Sequence, residues 1–228
     1  MPTYKIILQY DGTRYAGWQR QDGRTSRAGR QAGSRTIQAE VEKALKTALR
    51  RAVAVSASGR TDAGVHAVAQ TAHFSVPKTV DPWRLKGSLN GILPADIRVM
   101  DIREAPAAFH ARFKARAKTY VYVIGMGPER SAFVLPWAVE VPYALDAGAM
   151  RRAARVLVGR HDFKSFQGHD GTPRASVTRV DAVRVLRAGS RTLFPFLAGR
   201  SFLVIEVTAS GFLRGMVRTL VGTLIEVG

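Results

Sequence analysis

The segment GRTDAGVHA, residues 59–67, combines residue types that chemistry requires. It holds a carboxylate at Asp62, preceded by Arg60 and followed by His66. The segment lies between two predicted strands, so a sheet would hold this loop in place, and loops of that kind often hold functional residues. A carboxylate here could attack carbon or transfer a proton. Taken alone, however, an Asp before Ala-Gly is more typical of a turn.

Two patterns in the second half of the chain could contribute to such chemistry. In KTYVYVI, Tyr120 and Tyr122 are expected on one face of a strand, where an aromatic ring can stack on a base. In FLRGMVR, Arg214 and Arg218 are four residues apart, and a helix predicted over 212–225 places both on one face. By themselves, these patterns are also typical of a strand core and of a solvated amphipathic helix.

The charge balance favours a polyanionic partner. Lys and Arg number 35 and Asp and Glu 17, which gives a net charge of +18. So large a charge disfavours the compact state by self-repulsion, and the guanidinium groups of arginine bind phosphate at two points. We therefore expect nucleic acid rather than a merely solvated basic surface, although charge does not separate DNA from RNA. Residues 21–35 have no aliphatic side chain larger than alanine and predict a mobile basic loop, which either wraps a phosphate backbone or is only solvated.

Several classes are disfavoured by what the sequence lacks. With no cysteine, disulfides and thiolate chemistry are excluded. The chain has no apolar run of about 20 residues, and its first ten residues resemble a strand rather than a signal peptide, so we expect a cytoplasmic protein. No HxH or HExxH spacing occurs, and we expect no metal. The histidines are His66, His73, His110, His161 and His169.

The first half of the chain predicts the order β-α-β-β-α-β, which is that of the ferredoxin-like split unit. The strands are expected over 3–10, 53–58, 69–76 and 97–103, and the helices over 37–50, with Thr36 as N-cap, and 82–91.

The second half follows a similar plan, with a turn capped by His161 and Asp162 after Gly159. A closing strand is absent, and we expect a segment beyond Gly228. The predicted fold class is α+β: two ferredoxin-like (RRM-like) halves, 1–106 and 107–228, with antiparallel sheets joined side by side, helices on one face and an active-site cleft between them. The second-half elements are strands over 118–124, 177–186 and 201–208 and helices over 146–158 and 212–225.

Six segments, in this order along the chain, resemble the TruA family of transfer-RNA pseudouridine synthases. They span nearly the whole sequence. The segments are YDGTRYAGWQRQ, GRTDAGVHA, LNGILPADIRV, FHARFKARAKTYVYVI, GRHDFKSF and FLRGMVRTLVG.

The resemblance implies that Asp62 is the catalytic carboxylate. Whether it attacks the uracil ring or the anomeric carbon of ribose, or stabilises a glycal-type path, stays open. Arg218 matches the basic partner that keeps the carboxylate ionised, and Arg214 would bind either that group or a phosphate. Tyr120 matches the active-site tyrosine, which would stack on uracil and could move the proton lost from ring carbon five.

The resemblance also implies how RNA is bound. Arg60 would help flip the nucleotide out of its stack, and His66 and His161 are expected to contact the substrate. The partner would be the anticodon stem-loop of transfer RNA, modified at positions 38 to 40 by a homodimer without a cofactor; no DNA or membrane partner is expected. A phosphate track, alternating along one side of the segment before Tyr120, would comprise Arg112, Lys114, Arg116 and Lys118; a solvated strand edge is the alternative.

The sequence leaves two other functions open. The first is a non-catalytic RNA-binding protein built from two RRM-like sheets, but no predicted strand has the clustered aromatic consensus of that module. The second is a metal-dependent nuclease that uses Asp11, Asp62 and His66, whose activity a chelator would abolish.

Overall fold

The computed structural model describes residues 1–20, 35–128, 131, 132, 134, 136–168, 175–189 and 201–228. By its internal contacts the chain forms two compact units, Met1–Ala115 and Arg116–Gly228. The fold class is α+β, with four helices and two sheets in the described part. None of the described helices is long and apolar enough to span a bilayer. The predicted basic loop over 21–35 falls outside the described residues except for Arg35.

The first unit is a four-stranded antiparallel sheet with two helices. The strand order is β2-β3-β1-β4, so the first strand in the chain lies between β3 and β4. The elements are β1 (Thr3–Tyr10), α1 (Ile37–Leu49), β2 (Ser56–Ala57), β3 (Ala67–Ser75), α2 (Pro82–Ile92) and β4 (Ile97–Ala105).

Alternation along β1 decides which face of this sheet packs. Tyr4, Ile6 and Leu8 are fully buried, whereas the intervening Lys5 and Gln9 are exposed. The buried side chains form one core with those of α1 and α2, including Ile37. The strand predicted over 3–10 is thereby confirmed.

Side-chain caps fix where the two helices of this unit begin. The Thr36 hydroxyl accepts a hydrogen bond from the Ala39 amide, as the sequence predicts for an N-cap. Asp81 caps α2 in the same way, with Pro82 in the first turn. Helix α1 ends at Leu49, and the next residue, Arg50, caps it with a φ of 52° in the left-handed region.

The residues after β4 pack back on the first unit. The Ala111 amide donates to His73 Nδ1 over 3.2 Å, and the His73 ring lies 4.5 Å from that of His110 and 6.0 Å from that of Phe109. Burial, and then the neighbouring His110, lower the pKa of His73, which favours the neutral ring that can accept this bond. The first unit therefore extends to Ala115.

The second unit is a five-stranded mixed sheet with two helices, in strand order β6-β5-β9-β8-β7. Strand β6 runs parallel to β5, and the other neighbours are antiparallel. The elements are β5 (Lys118–Met126), β6 (Val139–Val141), α3 (Ala147–Val156), β7 (Gly159–Asp162), a 3₁₀ turn (Lys164–Phe166), β8 (Val177–Gly189), β9 (Ser201–Ala209) and α4 (Met216–Val227).

Three predictions for this unit were wrong. The sheet is not wholly antiparallel, because β6, only three residues long, adds a parallel edge. A turn capped by His161 and Asp162 is predicted after Gly159, but both residues belong to β7, which pairs with β8, and Asp162 bonds to the turn that follows the strand. The last helix begins at Met216 and not at 212, because Gly215 adopts a φ of 72° that a helix cannot continue through.

Candidate functional site

The loop between β2 and β3, residues 58–66 and here called the Asp62 loop, is held by a second segment of the chain, residues 11–18, here called the Asp11 segment. The Trp18 amide donates to the Thr61 carbonyl over 3.0 Å, and the Gly64 amide donates to the Tyr15 carbonyl over 3.2 Å. These backbone hydrogen bonds join the two segments and fix the position of the Asp62 loop.

Glycines permit this close approach. An ideal Cβ at Gly12 would lie 2.1 Å from the Val65 carbonyl oxygen, and one at Gly17 would lie 2.5 Å from that of Thr61. Gly17 also has a φ of 100°, which side-chain-bearing residues rarely adopt. The Asp62 loop therefore rests directly on the backbone of the Asp11 segment.

Asp62 lies in a turn and is also accessible. Its carbonyl accepts a hydrogen bond from the Val65 amide over 3.3 Å, and Gly64 has a φ of 77°. The side chains of Asp62 and Arg60 are exposed. The turn predicted by residue type and the exposed carboxylate that a reaction requires thus occur together.

His66 closes the other end of the loop. Its Nδ1 lies 3.0 Å from the Asp11 carboxylate and 3.2 Å from the Gly12 amide. A protonated Nδ1 donates to the carboxylate, whereas an unprotonated Nδ1 accepts from the amide. The same carboxylate oxygen accepts from the Thr13 amide and hydroxyl. Partial burial raises the pKa of Asp11, but the hydrogen bonds from Thr13 and the charge of His66 outweigh it and lower that pKa overall. His66 therefore contacts the protein through Nδ1.

A second carboxylate anchors the Asp11 segment and was not singled out from the sequence. Asp96 accepts from the buried Tyr15 hydroxyl over 2.7 Å and from both Nε and Nη2 of Arg14, at 3.1 and 2.6 Å. Burial raises the pKa of Asp96, but these bonds lower it overall, and burial with the Asp96 bond raises the pKa of Tyr15. The segments YDGTRYAGWQRQ and LNGILPADIRV contain these residues, but no local pattern pairs them.

In the second unit, Tyr120 lies on the face of β5 that packs. Tyr120 is half-buried and its ring meets Phe212 edge to face at 4.9 Å between centroids. Tyr122, two residues on, packs against the core of this unit. The two tyrosines share one face, as the strand period predicts, and Phe212 fixes the orientation of the Tyr120 ring.

Arg214 and Arg218 do not share a helical face, because Arg214 precedes α4. The Arg214 carbonyl accepts from the Gly168 amide over 2.7 Å, and a Cβ at Gly215 would be 3.6 Å from the Gly168 backbone. Arg218 Nη2 lies 4.0 Å from that same Cβ position, so its side chain reaches back to the helix start. Both arginines are exposed, but backbone contacts, not helix periodicity, determine their positions.

The alternation proposed for the phosphate track does not hold over its first residues. The chain turns between 106 and 114, where the Phe109 amide donates to the Pro106 carbonyl and the Lys114 amide to that of His110. Strand β5 begins only at Lys118. Arg112, Lys114 and Arg116 are exposed, but they do not alternate along a strand.

His161 lies on the edge strand β7, exposed, with Nε2 3.0 Å from the Val158 carbonyl oxygen. Its neighbour Asp162 accepts from the amide of Lys164, the first residue of the 3₁₀ turn, over 2.9 Å. The described residues contain no cluster of three or more potential metal ligands, and His169 lies outside them.

Comparisons with known proteins point to one family. A family model described as tRNA pseudouridine synthase matches residues 6–114 and 153–228. The chain is 42% identical over 228 residues to tRNA pseudouridine synthase A of Geobacter sulfurreducens, covering 100% of this chain and 85% of that protein. It is 40% identical over 225 residues to that of a Geobacillus species, with 98% and 82% covered. A protein of the same name from Shouchella clausii is 42% identical over 222 residues, with 97% and 77% covered. Both the family model and these relatives match the part of the chain that contains the Asp62 loop and its anchors, so this chain belongs to the tRNA pseudouridine synthase family.

Proposed function

We propose that this protein is an isomerase that converts uridine into pseudouridine in transfer RNA, with Asp62 as the catalytic carboxylate. The observation that supports it most is the exposed Asp62 on a loop fixed by backbone contacts, in a chain that belongs to the family over nearly its whole length. Fixed geometry matters because a misplacement of about 1 Å can cost a factor of 10² in rate.

The reaction needs no redox partner. The bond between ring nitrogen one and the ribose anomeric carbon breaks, and a bond from ring carbon five to that carbon forms. Carbon five loses its proton to solvent and ring nitrogen one takes up a proton, so atoms and charge balance. Asp62 would attack either the ring or the anomeric carbon, or stabilise a glycal-type path. We propose that no cofactor or metal takes part.

We assign supporting roles from the resemblance. Arg218 would keep Asp62 ionised when substrate covers it, and Tyr120 would stack on the uracil, held by Phe212. Arg60 would assist flipping, and Arg214 would bind phosphate or the carboxylate. His66, whose Nδ1 contacts Asp11 and Gly12, would contact the substrate from the Asp62 loop.

The RNA partner would be the anticodon stem-loop, modified at positions 38 to 40. The net charge of +18 supports a polyanion. We propose phosphate contacts at Arg112, Lys114, Arg116, Lys118 and His161, which are exposed or half-buried side chains. A homodimer acting in the cytoplasm completes the proposal. The order β2-β3-β1-β4 supports the ferredoxin-like description of the first unit.

The test is tritium release from transfer RNA labelled at carbon five of uridine. The parent protein should release tritium with or without chelator, and Asp62→Asn should lower the rate by about 10³-fold or more while RNA binding is kept, because the charge is lost and the shape retained. Asp101→Asn, which removes a carboxylate paired with Arg103 in the same unit, is the matched control and should stay active.

The outcomes separate the candidate functions. Cleavage of the RNA that chelator abolishes, without tritium release, would indicate the nuclease alternative. Binding with neither tritium release nor cleavage would indicate a non-catalytic RNA-binding protein. Substantial turnover by Asp62→Asn would contradict the assignment of Asp62.

A further inference from the structure

A chain of buried polar groups lies beneath the Asp62 loop. Tyr10 is 3% exposed and Gln70 is 8% exposed. Gln70 Nε2 donates to the Gly59 carbonyl over 2.7 Å and to the Tyr10 hydroxyl over 3.4 Å, and Gln70 Oε1 accepts from the Ser58 hydroxyl over 3.1 Å. The Tyr10 hydroxyl is 2.9 Å from Thr61 Oγ1. These hydrogen-bonded side chains therefore link β3, β1 and the Asp62 loop.

The two ends of this chain lie on either side of Arg60. Gln70 holds the carbonyl of Gly59, and Tyr10 holds the hydroxyl of Thr61, the residue directly before Asp62. Because β1 and β3 are neighbouring antiparallel strands, their register fixes both anchors relative to the sheet. A shift of either anchor would move the backbone that presents Asp62.

Burial of these groups is costly unless each is paired. An unpaired amide or hydroxyl inside a protein loses its hydrogen bonds to water, whereas apolar side chains of similar size would pack there without that cost. A fully paired polar network instead specifies one geometry. The paired polar groups therefore define the position of the Asp62 loop, where apolar side chains would serve only to fill the core.

We propose that Tyr10 and Gln70 are positioning residues, which hold the Asp62 loop in its reactive geometry through Gly59 and Thr61. The proposal rests on the proposed function and names residues that support its catalytic carboxylate. Both side chains are buried, so they would act through the loop and not by contact with the substrate. Their loss should lower the rate of the chemical step more than the affinity for RNA.

Tyr4 provides a matched control on the same strand and the same face. It is fully buried, and its hydroxyl accepts from the Val80 amide over 3.0 Å and lies 3.3 Å from the Val80 carbonyl oxygen. Replacement by Phe removes these hydroxyl contacts of Tyr4 and, in Tyr10, those to Thr61 and Gln70. Only the contacts of Tyr10 lead to the Asp62 loop.

The experiment measures kcat, KM for transfer RNA and Tm of the full-length protein by tritium release and thermal unfolding. Tyr10→Phe should lower kcat by about 10- to 100-fold with KM changed by less than about twofold. Tyr4→Phe should leave kcat within about twofold of the parent. Both should lower Tm to a similar extent, by about 2–4 °C.

Gln70→Met keeps the length of the side chain and removes its amide, which gives a second, independent test. This variant should also lower kcat with KM retained. If the parent releases tritium, two results would overturn the positioning role. One is a parental kcat in Tyr10→Phe, and the other is an equal fall in kcat for Tyr4→Phe and Tyr10→Phe. A parent that releases none would overturn the proposed function itself, and the positioning role with it.

Discussion

A methyl group at residue 12 is expected to displace the Asp62 loop. Gly12 packs against the backbone of Val65, and a Cβ there would lie 2.1 Å from the Val65 carbonyl oxygen and 2.6 Å from its carbonyl carbon. Both neighbours are backbone atoms, so no side chain can rotate away. The Gly12→Ala variant must therefore separate the Asp11 segment from the loop.

The size of the effect follows from these distances. The contact must lengthen by roughly 1.3 Å to reach an ordinary van der Waals separation. Overpacking of this kind costs about 1–3 kcal/mol, and each kcal/mol lowers Tm by about 2–4 °C in a chain of this size. Since a misplacement of about 1 Å at a reacting group costs about 10²-fold in rate, kcat should fall by about that factor.

The assay pairs thermal unfolding with tritium release under conditions where the variant is folded. Gly87→Ala is the matched control, because Gly87 lies within α2 and its added Cβ would meet no atom within 4 Å. That control should be neutral or stabilised by about 0.5–1 kcal/mol, with parental turnover. Equal turnover in Gly12→Ala and Gly87→Ala would refute the idea that the contact between Gly12 and Val65 sets the loop position.

Two further predictions concern RNA binding and pH. Lys114→Ala should weaken RNA binding and reduce the slope of log K against log salt concentration by about 1, with kcat retained. The control Lys46→Ala on α1 should change neither binding nor slope. A parental slope for Lys114→Ala would show that Lys114 makes no phosphate contact. Asp96→Asn should lose about 1–3 kcal/mol at pH 7 in urea unfolding, because Arg14 and Tyr15 lose a charged acceptor. The folded-state pKa of Asp96 is lowered, so its stabilisation is present above about pH 4 and is lost as pH falls through the folded-state pKa; a deficit that persists undiminished at pH 2 would contradict this sign.

Local patterns in the sequence predicted most elements of the first unit. The alternation of Tyr4, Ile6 and Leu8 identified β1, and the Thr36 cap with Ile37 and Val41 identified α1. The order of six motifs identified the family, which the family model and the relatives confirm. These features are readable because period, caps and motifs depend on residues close together in the chain.

The errors occurred where contacts between distant residues decide local structure. Helix α4 begins at Met216, after the predicted start, and Gly215 directly before it lies against Gly168. Strand β7 forms because its backbone pairs with that of β8. Neither contact leaves a periodic signal. The residue type of Gly215 alone does not distinguish a helix interior from a helix start.

The sequence by itself determined the family, the first strand and the presence of a candidate carboxylate at Asp62. Only the tertiary structure decided what holds that carboxylate: the Tyr10 hydroxyl reaches Thr61 across 51 positions, and the Tyr15 hydroxyl reaches Asp96 across 81. Such pairs form because a sheet brings distant strands to adjacent positions, and no local spacing encodes them.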